Sequence, residues 1–127
     1  MDRNNKTCLE LVDSELRDRA DDFIRFMHGD TDCKELKGAD SWLEEFNQYG
    51  LDFSFVEPET FKNQEIGYYR YQLSWGGPSD EIRFFENGKI EYWYMDWFDG
   101  ACKTITDKNW AIWLSDMFMI DEQAWGK

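Results

Sequence analysis

Apolar residues recur at spacings of three and four through residues 8–27, at Leu9, Val12, Leu16, Ala20, Phe23, Ile24 and Met27. That period predicts an amphipathic helix. Thr7 and Glu10 match a capping box, in which each side chain satisfies a free backbone N–H at the helix start. Gly29 supplies a stop. Acid and base sit four apart at Asp13–Arg17, Glu15–Arg19 and Asp21–Arg25; such pairs add about 0.2–0.5 kcal/mol each on a helix surface. Residues 30–40 are polar and read as a loop. A short helix is expected over 41–49, capped by Asp40 or Ser41, with Trp42, Leu43 and Phe46 as its apolar stripe and Gly50 as its end.

The period then changes to two. Leu51, Phe53 and Phe55 alternate with Asp52 and Ser54, which predicts a strand. Residues 57–65 form a loop, and the aromatic-rich segment 66–75 a second strand that breaks at Gly76-Gly77-Pro78. Strands over 81–86 and 89–97 are joined by Asn87-Gly88, the usual dipeptide of a two-residue type I′ turn. That turn would set Glu86 opposite Lys89, Phe85 opposite Ile90, Arg83 opposite Tyr92 and Ile82 opposite Trp93. Phe85, Ile90, Tyr92 and Tyr94 would share one face; Ile82, Phe84, Trp93, Met95 and Trp97 would share the other. Both faces are apolar enough to need cover, one by helices and the other by a second layer, a dimer contact or a binding surface. Asp99-Gly100 reads as a turn. A last helix is expected over 107–120, capped by Thr106 or Asp107, with Trp110, Trp113, Leu114, Met117 and Phe118 buried. No repeat or linker interrupts the chain. The expectation is one α+β domain over residues 1–127: N-terminal helices, an antiparallel sheet of about four strands with the Asn-Gly hairpin, and a C-terminal helix.

Composition narrows the class. The chain has 127 residues and a formal charge of -13, yet 18% of it is aromatic. A buried aromatic removes roughly 150–250 Å² from water, so the chain can close a core in spite of its charge. No Lys/Arg cluster offers a footprint for phosphates, which argues against direct binding to nucleic acid or to an anionic membrane surface. No stretch approaches the ~18 apolar residues of a membrane span. Cys8, Cys33 and Cys102 are odd in number and far apart, so neither a disulfide framework nor a thiolate metal site is expected. A cytoplasmic protein with reduced thiols follows.

Catalytic constellations are hard to assemble, and no cofactor or metal is expected. His28, the lone histidine, reads as a solvated residue at a helix C-terminus; a pair with Cys33 lacks neighbours to organise it. Residues 29–32 lack the spacing of a calcium loop, and Gly76-Gly77-Pro78 lacks the lysine of a phosphate loop. Asp96 and Asp99 could form a carboxylate pair near a strand end, with Trp93, Trp97 and Phe98 to stack on sugar rings. An enzyme or carbohydrate-binding module on those residues is therefore one alternative. A structural or adaptor homodimer through an aromatic sheet face is another.

The charge carries the leading expectation. Residues 1–50 hold 13 acids against 7 bases, and residues 51–100 hold 10 against 4, so the excess is spread through the domain and is not a tail. A rigid scaffold that displays carboxylates can occupy a groove built for a polyanion, with long-range attraction that weakens with salt. The carboxylates expected at sheet edges and hairpins are Asp80, Glu81, Glu86, Glu91, Asp96 and Asp99, with Trp75 and Trp97 as aromatic anchors.

The segment 68–101, with YYRYQLSWGGPSDEIRF and IEYWYMDWFDGA, resembles a family of small acidic proteins carried by bacteriophages, prophages and other mobile elements. The upstream FNQYGLDFSFVEPETFKNQEIGYYRY is also similar, so the resemblance covers about half the chain. It implies a setting in which small acidic proteins inhibit host defence, such as CRISPR effectors and restriction enzymes. The expected partner is accordingly a basic, nucleic-acid-binding protein of the host bacterial cytoplasm.

Overall fold

The computed structural model describes residues 7–29, 41–76, 78–96 and 99–120. The expected loop over 30–40, Cys33, Trp97 and the last seven residues lie outside them. The elements run α1 (Cys8–Met27), α2 (Ser41–Tyr49), β1 (Asp52–Val56), β2 (Tyr68–Ser74), β3 (Ser79–Phe84), β4 (Ile90–Asp96), β5 (Asp99–Thr104) and α3 (Asn109–Met117). The five strands form one antiparallel sheet in chain order. The fold is α+β, with helices at both ends of the chain.

α1 starts as its sequence dictates. The Thr7 side chain accepts from the Glu10 backbone and the Glu10 side chain returns the bond, and Gly29 adopts φ +78° beyond the C-cap His28. Its buried face, Val12, Phe23 and Phe26, meets Ile82, Phe84, Ile90 and Tyr92 of the sheet, with Phe46 of α2 and Trp110 and Leu114 of α3. Phe23 stacks on Trp110 at 5.5 Å. The helices thus cover one face of the sheet, and aromatic edges fill the layer between.

Three expectations are corrected. The β3–β4 connection is not a two-residue type I′ turn. Phe85 and Lys89 close it (N···O 2.9 Å), the Gly88 N–H donates to the Phe85 carbonyl, and Gly88 carries positive φ while Asn87 does not. This is a three-residue loop, a type I turn followed by a left-handed glycine. Asn87 stays out of the left-handed region and its Oδ1 accepts from the Lys89 N–H at 2.9 Å. The added residue shifts the register by one. Arg83 lies opposite Glu91, Ile82 opposite Tyr92 and Phe84 opposite Ile90, so Ile82 and Phe84 face the helices and Arg83 faces away.

The second correction is β5. Asp99-Gly100 is the start of a fifth strand, not a turn, with Asp99 opposite Asp96 and Gly100 opposite Met95. The third is the start of α3. Its N-cap is Lys108, without a side-chain bond. The Thr106 hydroxyl is used elsewhere, accepting from the Ile90 N–H at 2.9 Å.

Candidate functional site

The carboxylates expected at the surface do not gather there. Asp80 is 2% exposed and Glu81 4% exposed. Asp80 faces the helices with Ile82 and Phe84 through the alternation of β3, and the β2 bulge between Gln72 and Ser74 sets Ser74 opposite it. It accepts from Arg19 Nε (2.8 Å) and Nη2 (3.0 Å), from the Tyr92 hydroxyl (2.7 Å) and from Ser74 Oγ (2.5 Å). Arg19 Nη1 also donates to the Tyr49 hydroxyl at 2.9 Å, and that hydroxyl donates to Asp22. One polar network therefore links α1, α2, β2, β3 and β4. Burial and the neighbouring carboxylates push the Tyr49 and Tyr92 phenols well above their ordinary range.

Glu81 points to the opposite face and accepts from Arg83 Nε at 2.7 Å. Glu91 accepts from the Trp93 indole (2.9 Å) and pairs with Lys89 (3.1 Å). Glu86 is exposed at the hairpin tip, some 26 Å along the sheet from Asp96 at about 3.3 Å per residue. Trp75 is 60% exposed just after β2.

Asp96 and Asp99 do come together, opposite each other at the start of β5. They sit at the N-terminus of α1. The Cys8 N–H donates to Asp99 Oδ2 at 2.6 Å, and the Cys8 thiol donates to the Asp99 carbonyl at 3.5 Å. A carboxylate there satisfies a free N–H and complements the helix dipole. The Cys8 N–H bond draws the Asp99 carboxyl below its ordinary value. Burial first, and Asp99 second, push the Cys8 thiol up to about 11, so it is a poor nucleophile. Asp99 thus caps the start of α1.

Two surfaces stand out on the described residues. One is the outward face of α1. Its cations turn inward or sideways: Arg19 to Asp80, and Arg25 to Glu45 (2.8 Å) and Asp22. Asp13 pairs with Lys103 of β5 at 3.3 Å. Glu10, Asp13, Asp18 and Asp21 are exposed, and Asp18 and Asp21 have no ion pair among the described residues. Arg17 interrupts the acids, and Leu9 (70% exposed) and Ile24 (38%) flank them. The Arg25–Glu45 bridge joins α1 to α2, where Glu44 is exposed.

The other is the sheet face away from the helices. A row of side chains crosses all five strands there: Ser54, Arg70, Arg83, Glu91 and Thr104. The Arg83 guanidinium lies over the rings of Trp93 (4.0 Å) and Tyr68 (4.8 Å). The 57–67 loop overhangs this end and leaves a cleft of about 370 Å³. The alternation in YYRYQL and EIRFF held the signal, since it sets both arginines on one face.

Among the described residues, no group of three His, Cys, Asp or Glu is placed to hold a metal ion, and no helix is long and apolar enough to cross a membrane. Comparison with protein-family models, curated proteins and solved structures finds no match.

Proposed function

We propose that the protein is a non-catalytic binding protein that inhibits a basic, nucleic-acid-binding host defence protein, of the anti-CRISPR or anti-restriction type, by presenting carboxylates where that partner accepts phosphates. The contact surface is the outward face of α1 with the adjoining end of α2, in place of the β3–β4 hairpin. What supports this reading is the disposition of the cations. Arg19, Arg25, Arg83, Lys89 and Lys103 each sit in an ion pair within the chain, while Asp18, Asp21 and Glu44 stay exposed.

Magnitude limits the mimicry. α1 exposes four acids, Glu10, Asp13, Asp18 and Asp21, over 20 residues, or one per about 7.5 Å at a rise of ~1.5 Å per residue. Duplex DNA carries one charge per ~1.7 Å. α1 therefore supplies steering and register, and Leu9 and Ile24 supply apolar contact.

A plasmid-interference assay tests the reading. In cells with an active restriction or CRISPR system, expression of the protein is expected to raise recovery of a targeted plasmid. The Asp18→Lys/Asp21→Lys double variant, at equal abundance, is expected to lose most of that protection. No protection by the wild-type protein across both system types, or full protection by the double variant, overturns the proposal.

A further inference from the structure

The geometry points to a ligand site in the cleft between the 57–67 loop and the outer sheet face, built for a small ring compound that carries a single anionic oxygen group, such as an aromatic carboxylate. The cleft encloses about 370 Å³, within the range of small-molecule sites. Phe61, Tyr68, Phe85 and Trp93 line it together with Lys62 and Arg83, so it offers aromatic walls beside two cations.

Charge fixes the sign of the ligand. Arg70 and Arg83 lie directly opposite each other on β2 and β3, and like charges so placed repel. Glu81 serves Arg83 through Nε, and Glu91 is turned to Lys89 and the Trp93 indole. Arg70 has no carboxylate partner among the described residues, and its Nε is buried without an acceptor. Counting Lys62, Arg83, Glu65 and Glu91 on the lining with Arg70, Glu81 and Lys89 beside it, four cations stand against three anions, so in a chain of net charge -13 this spot carries a local surplus of one positive charge. Glu65 and Glu91 on the lining oppose a second negative charge, which disfavours polyphosphates.

A donor marks where the oxygen binds. Tyr68 is 2% exposed, and its hydroxyl has no partner among the described residues. Buried hydroxyls are nearly always satisfied, so an orphan one beside a guanidinium points to an acceptor supplied from outside. A small shift of the Arg83 guanidinium, which lies over the Tyr68 ring, would admit an oxygen to both groups.

The rim is preformed. Gln64 ties the loop to itself, with Nε2 donating to the carbonyls of Glu57 (2.8 Å) and Ile66 (2.9 Å) and Oε1 accepting from the Phe61 N–H (3.0 Å). Val56 and Tyr68 pair at its base. Glu59 and Asn63 both hold φ of 64°, a conformation that side chains rarely adopt without such ties.

The test is titration of the full chain, followed through the indole N–H resonances, with Trp93→Phe identifying the relevant one. Benzoate is expected to saturate and to move the Trp93 signal, whereas benzylamine and inorganic phosphate are not. Tyr68→Phe keeps the ring and removes only the orphan hydroxyl, so it should fold as well as the wild type and bind benzoate about fivefold more weakly, as one lost hydrogen bond implies. Arg70→Gln should weaken it as well. Benzoate that fails to saturate, benzylamine that binds as tightly, or a Tyr68→Phe variant with undiminished affinity overturns the proposal.

Discussion

Arg19 and Asp80, 61 residues apart, meet in a two-pronged ion pair between α1 and β3, at 2.8 and 3.0 Å. Both carboxylate oxygens are further bonded, one by Tyr92 and the other by Ser74. A buried pair this well satisfied holds the helix to the sheet in one arrangement, and removing either partner strands the other.

Asp80→Ala should therefore lower unfolding stability by about 3–5 kcal/mol, the range for breaking a buried pair. Urea denaturation measures it. Asp18→Ala, on the exposed side of the same helix, should change the urea midpoint little, since exposed substitutions stay within about 0.5 kcal/mol. Equal effects would mean that the Arg19–Asp80 pair does not hold the layers together.

Asp99 predicts an acid-side effect. Its carboxyl is lowered from 3.8 by the Cys8 N–H. A carboxyl depressed in the folded state adds stability above the unfolded value, and that stability is lost as pH falls through the folded pKa. Stability should thus decline as pH drops below 3.8, and Asp99→Asn should make the decline shallower, because the amide can still accept from Cys8 but no longer titrates. Denaturant midpoints across the acid range, compared between the two proteins, check this.

The β3–β4 hairpin separates two turn types by mutation. Gly88 holds φ +88° with open space where a Cβ would lie, so Gly88→Ala should cost about 1–2 kcal/mol through backbone strain alone. Asn87→Ala loses only an exposed bond to the Lys89 N–H, about 0.5–1 kcal/mol. A type I′ turn would demand positive φ of both residues and make the two costs similar. Thermal unfolding of the pair of variants decides the order.

The periodicities were enough to locate α1, α2 and β1 through β4 within a few residues. A helix stripe or an alternating strand is a local property, and so are the Thr7–Glu10 box and the Gly29 stop. β5 was not legible in this way. Asp99-Gly100-Ala101-Cys102 lacks the bulky residues of a strand, and only pairing with β4 makes it one. Asn87-Gly88 was legible as a hairpin but not as a loop length, since the same dipeptide fits two- and three-residue turns. That one-residue difference reversed the faces of β3.

Sequence alone determined the class of this protein: the spacing of apolar residues sets which segments can bury a face, and the acid excess sets the net field. The tertiary structure decided what each charge does. Whether a carboxylate is surface or core depends on strand register, on the β2 bulge that turns Ser74 toward Asp80, and on which helix end lies beside Asp99. Those are relations between residues far apart in the chain, and no local pattern encodes them. They moved Asp80, Glu81 and Asp99 from the expected display into the framework, and they put Tyr68, Arg70 and Arg83 beside Trp93 on the face opposite the helices, where Ile82 and Phe84 were expected.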